Sequence, residues 1–165
     1  MKYNIGDSVV VPGCGVGLIE AREQIQMEGV GSLDVYRVNL GGKAGTTWIP
    51  VAMATPDRLR PVMSKDAISA TWDVMLAQEA PEKRAHWNQR KRRYTEQISS
   101  SAPADLAALI GELAAVQVNK TLSFGEQQIL EKARKLLADE IAAVLGQDTE
   151  AVDERMEVKL AAFAA

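Results

Sequence analysis

The sequence predicts an α+β protein: a small, strongly curved β-barrel followed by a compact all-helical domain of about five helices. Two observations carry this. The first sixty residues alternate short β-branched runs with glycine and proline turn signals. From about Pro61 onward the apolar residues fall three and four apart, the period of helices. The predicted boundary therefore divides the chain into 1–62 and 63–165.

Ile5-Gly6-Asp7 reads as a turn into the strand Ser8-Val9-Val10-Val11, which Pro12 stops. Gly13, Gly15 and Gly17 follow at alternate positions, and Leu18-Ile19 resumes a strand. The tight turn those glycines permit is their plain reading, since their spacing does not fit the dinucleotide-binding fingerprint. Asp34 to Leu40 is strand-like, Gly41-Gly42 turns the chain, and Thr46-Thr47-Trp48-Ile49 is a further strand closed by Pro50. A segment this short has a modest core.

In the second part Ser64 is a suitable N-cap for a first helix carrying Ile68, Trp72 and Met75. A second helix is expected from about Glu82 to Ile98. Ser99-Ser100-Ser101 breaks it, and Pro103 suits the first turn of a third helix with Leu106, Leu109, Ile110, Leu113 and Val116. Ser123-Phe124-Gly125-Glu126 has the form of a capping box opening a long fourth helix. Gly146 should end that helix, and Asp148 or Thr149 could cap a fifth. Short connections make these a bundle.

Apolar residues make up 47% and charged residues 25% of the 165, a globular balance. No run is long enough to span a bilayer, and the start, MKYNIGDSVVVPG, has no signal-peptide core; a cytoplasmic protein is expected. One cysteine, Cys14, and one histidine, His86, leave no internal disulfide and no Cys/His cluster for zinc, so no cofactor or metal is expected. An enzyme is the least supported class.

The net charge of −3 is unevenly spread. Residues 1–62 are neutral, residues 63–94 carry +3 and residues 95–165 carry −6. Lys83 to Arg93 holds six Lys/Arg and no acid in eleven residues. Phosphate backbones reward such clusters through counterion release. On a helix Arg84, Trp87, Lys91 and Tyr94 would share a face, with Arg90 beside them and Arg92 and Arg93 turned away. Trp87 could be a core ring, as most helical tryptophans are, or a ring that stacks or wedges at a distorted DNA step. The surrounding cations favour the second reading unless the acidic fourth helix pairs them. Trp72, without such neighbours, is assigned to the core. Trp48 either fills the barrel or stands on the outer face of an edge strand as a protein-contact anchor. The acidic side chains of the last two helices, Glu140 among them, read most simply as a solvated surface.

Ordered motifs over nearly the whole chain resemble those of the CarD/CdnL family of bacterial RNA polymerase-binding regulators. They are Ile5-Gly6-Asp7-Ser8-Val9-Val10-Val11-Pro12 with Gly15-Val16-Gly17, Trp48-Ile49-Pro50, Leu59-Arg60, Trp87-Asn88-Gln89-Arg90 and Leu122-Ser123-Phe124-Gly125-Glu126. Val11 stands where the family often has Tyr, and Ile25 and Trp48 stand where some members have basic residues. The stretch Gly41 to Thr47 also differs in composition. The resemblance implies a Tudor-like, SH3-like N-terminal domain that binds the polymerase β subunit, here through Arg37, Val38, Trp48, Ile49 and Pro50. Arg22 or Arg60 could add charge there. It implies a helical domain that contacts promoter DNA at the upstream edge of the −10 element, in the minor groove and on phosphates, with little sequence specificity. Trp87, Arg84, Arg90, Lys91 and Arg92 would make that contact. The implied role is stabilisation of the open promoter complex without enzymatic activity. A free-standing DNA-binding module and a protein-interaction adaptor are the alternatives. Separately, the absence of a sustained heptad argues against a coiled-coil dimer, and a monomer is expected.

Overall fold

The structure is a computed structural model that describes residues 2–82 and 86–164. It contains two compact units, Met1–Val62 and Met63–Ala165. The first is an antiparallel sheet and the second is helical, which is the fold class the sequence predicts.

The sheet has the order β4-β3-β2-β1-β5. Its strands are β1 (Ser8–Val11), β2 (Gly15–Met27), β3 (Gly31–Gly41), β4 (Gly45–Pro50) and the two-residue β5 (Arg60–Pro61). β2 is much longer than the Leu18-Ile19 segment legible in the sequence. Its second half, Ala21–Met27, pairs residue by residue with Gly31–Arg37 to form a hairpin arm. A bulge between Ile19 and Ala21 separates that arm from the part of β2 that also pairs β1. The three spaced glycines divide their work. Gly13 (φ 79°) and Gly15 (φ 128°) make the β1–β2 turn, where exposed Cys14 sits. Gly17 lies inside β2, where a Cβ would come within 2.5 Å of Val38 Cγ1, so the strands themselves need that glycine.

Val9, Ile19, Tyr36, Val38, Ile49, Ala54 and Leu59 form the core of this unit. Period-two alternation explains it: Tyr36 and Val38 point inward, and Arg37 between them points outward. On β4, Ile49 is inward and Trp48 outward. Tyr3 closes the core edge-on to Tyr36, with ring centroids 5.6 Å apart, and donates its hydroxyl to the Leu59 carbonyl at 3.2 Å.

The helical unit contains α1 (Ala67–Leu76), α2 (Trp87–Ser100), α3 (Pro103–Asn119), α4 (Phe124–Leu145) and α5 (Thr149–Leu160). Trp72 and Met75 are buried in one core with Tyr94, Leu109, Ile110, Leu113, Leu137, Ile141, Val152 and Met156. α1 begins later than its predicted cap: Ser64 instead accepts at its carbonyl from Ala67 N–H in the preceding turn. α2 begins at Trp87 and runs through Ser99 and Ser100 to a left-handed Ser101. Glu140 corrects the picture of a uniformly solvated acidic surface. It is buried, and it accepts from the Met63 backbone N–H at 2.7 Å. No described helix is long and apolar enough to cross a membrane.

Candidate nucleic-acid and protein interfaces

The start of α2 is set by its burial stripe. Arg90, Tyr94, Gln97 and Ile98 face inward at helical spacing, while Lys91, Arg92 and Arg93 face outward. The expected common face for Trp87, Lys91 and Tyr94 is therefore split. Tyr94 is fully buried, Lys91 is exposed, and Trp87 lies on the rim between them, 36% exposed. Lys83 and Arg84 lie outside the described residues.

Trp87 is held from two sides. The Arg90 guanidinium sits 5.4 Å from the centre of its ring and 5.8 Å from that of Tyr94. The indole edge rests against the first turn of α4: a Cβ at Gly125 would lie 3.3 Å from Trp87 Cζ2 and 3.8 Å from Cη2. A Cβ at 125 would require the indole to give by a few tenths of an ångström. Gly125 is 38 positions from Trp87 in the chain, so no local signal marks it as the seat of the ring.

Arg90 is the residue whose place differs most from expectation. Its side chain is only 11% exposed, and Nη2 donates to Glu126 Oε2 at 2.7 Å. Glu126 in turn completes the predicted capping box. Its Oε1 accepts from Ser123 N–H at 3.0 Å, and Ser123 Oγ accepts from Glu126 N–H at 3.2 Å. Burial alone would raise the Glu126 carboxyl. The Ser123 hydrogen bonds and the charges of Lys120 and Arg90 outweigh it and hold the group below its ordinary value. The fourth helix thus supplies the acid that a bare reading of the basic run lacked.

Arg93 is also paired, with Glu112 of α3 at 2.5 Å, and its guanidinium lies 5.3 Å from the Tyr94 ring centre. Burial, then the Glu112 charge, raises the Tyr94 phenol. Arg92 has only a long, solvent-exposed contact to Glu96 at 3.9 Å. No carboxylate among the described residues lies within ion-pair distance of Lys91. Lys91 and Arg92 therefore remain available for phosphates.

The sheet unit displays its own tryptophan. Trp48 is 50% exposed on β4, an edge of the sheet, and resolves to the outward-facing reading. Its Nε1 donates to Glu23 Oε1 at 3.0 Å. Arg37, paired with Trp48 across the strands, bridges Glu23 at 3.2 Å and Glu20 at 3.4 Å. Pro50 is partly exposed. Val38 and Ile49, expected among the contact residues, have their side chains packed in the core of the unit, so their side chains do not line the outer face. Their strand neighbours Arg37 and Trp48 take the outer face instead. Arg22 is paired with Asp34 at 2.6 Å.

Fold and site together define a two-unit α+β protein that displays one tryptophan from each unit. Residues 73–157, more than half of the chain, match the family described as CarD, C-terminal domain, and the chain belongs to the CarD family. It is also 26% identical over 145 residues to a Bacillus subtilis (strain 168) protein named "Putative transcription factor YdeB", covering 87% of this chain and 93% of that protein.

Proposed function

We propose that this chain is a transcription regulator whose sheet unit docks on the RNA polymerase β subunit and whose helical unit contacts promoter DNA, stabilising the open complex. Family membership and the relative's name support the coarse reading. The observation that carries the finer one is the partly exposed Trp87 indole, 36% accessible, at the head of a basic helix, with Lys91 and Arg92 outward.

Docking raises the local concentration of the helical unit, so a weak contact suffices. Trp87 fills a gap that exists only once the strands separate, at the upstream edge of the −10 element. A ligand that binds one state better shifts the balance toward it. Lys91 and Arg92 hold phosphates. Arg90 positions the indole and is not itself a phosphate ligand. On the sheet unit, Trp48, Arg37 and Pro50 meet the polymerase.

The test is the lifetime of promoter open complexes with the homologous polymerase. Trp87→Ala should leave β-subunit binding intact and shorten the lifetime several-fold, the scale of about 1 kcal/mol or more expected for base–aromatic stacking. An unchanged lifetime would sink the wedge. A protein-interaction adaptor, the rival reading, predicts that result and also indifference to loss of Lys91 and Arg92.

A further inference from the structure

An open groove of about 840 Å³ runs between α4 and α5, a volume in the range of ligand-holding clefts. Leu122, Leu130 and Ala138 form its apolar floor, and five carboxylates and two cations line it. Both cations are already engaged. Arg134 bridges Asp153 at 3.0 Å and Glu157 at 2.5 Å, and Lys135 bridges Asp139 at 3.0 Å. Glu131, Glu150 and Glu154 are exposed, and no cation among the described residues lies within ion-pair distance of them.

An ordinary solvated helix face mixes its signs, and α5 does not. Its cations are turned to other contacts: Lys159 sits 5.5 Å from the centre of the Trp72 ring, and Arg155 donates to Gln147 at 3.2 Å. Glu150 and Glu154 stand one turn apart, a like-charge spacing that weakens a helix. Helix stability therefore does not ask for this wall of acid. A phosphate backbone would be repelled by it. Lysine and arginine suit it on both counts, because their charged heads reach carboxylates at a rim while their methylene stems cover an apolar floor.

We propose that the groove between α4 and α5 is a docking site for a Lys/Arg-rich segment of another protein. Charge complementarity carries this assignment, and it stands apart from the DNA reading of Trp87.

The full chain would be titrated into fluorescein-labelled octa-arginine and followed by fluorescence anisotropy at low salt. Glu150→Gln combined with Glu154→Gln should weaken binding by about 5-fold and flatten its salt dependence, as loss of rim charges does. Lys135→Gln, which removes a cation from the rim, should tighten binding by about 2-fold. Glu28→Gln combined with Glu79→Gln makes the same charge change at exposed sites outside the groove and should leave binding near the wild-type value. Equal weakening by the two pairs would reduce the binding to overall charge and overturn the site. Absence of binding by the wild type, or full binding by the groove pair, would overturn it as well. Self-association of the wild type in sedimentation velocity, abolished in the groove pair, would make a second copy the occupant and overturn the assignment to another protein.

Discussion

The two displayed tryptophans are held in opposite electrostatic settings. Trp48 stands on a sheet edge and is fixed by a hydrogen bond to a carboxylate, with Glu20, Glu23 and Arg37 around it. Trp87 stands on a helix start and is fixed by a cation over its face, with the matching carboxylate buried beneath. The first ring offers an amphipathic, mildly acidic surface, the kind that anchors protein interfaces. The second offers a ring with outward cations, the kind that tolerates a phosphate backbone. Two similar side chains thus point to two classes of partner, and the difference lies in what holds each ring.

The largest test of that contrast compares the two holding carboxylates. Glu126 is 4% exposed and carries both the cap and the ion pair. Glu126→Ala should cost about 3–5 kcal/mol of unfolding free energy, the scale for breaking a buried pair from one side. Glu23→Ala, on a solvent-exposed network, should cost under about 1 kcal/mol. Because the Glu126 carboxyl is held below its ordinary value, its contribution is fully present above the usual glutamate range. It fades as pH falls through the lowered folded value. Denaturant titrations of wild type and Glu126→Ala should therefore converge in acid. A gap that persists there would mean the ion pair and cap are not its source.

Next comes docking. Trp48→Ala should weaken binding to a polymerase β-subunit fragment by about 2 kcal/mol, roughly 30-fold, while bubble-DNA affinity stays as in the wild type. Loss of both would collapse the two-surface picture. The smallest effect separates inward from outward cations. Lys91→Gln and Arg92→Gln should each reduce the salt dependence of DNA binding by about one charge, and Arg90→Gln should leave that slope unchanged.

The sequence carried the fold well where the signal is local. Strand alternation around Tyr36–Val38, the Ser123–Glu126 cap and the Gly146 stop can all be read from neighbours a few residues apart. It carried the site less well because the decisive partners are far apart in the chain. Arg90 and Glu126 are 36 residues apart, so a basic run read alone counts Arg90 as a free cation. Motif resemblance groups Val38 and Ile49 with Arg37 and Trp48, but strand alternation puts the first pair's side chains inside and the second pair's outside. The β2–β3 arm escaped because Arg22, Gln24 and Gln26 are polar, and an exposed hairpin needs no apolar face to be a strand.

Glu126 joins two tasks that could have been separate, closing the first turn of α4 and clamping the arginine that stacks on Trp87. The indole consequently inherits the stiffness of a sealed helix terminus, although it sits where a connecting segment ends. A probe presented this way loses little motional freedom on contact, so even a modest touch can register as binding.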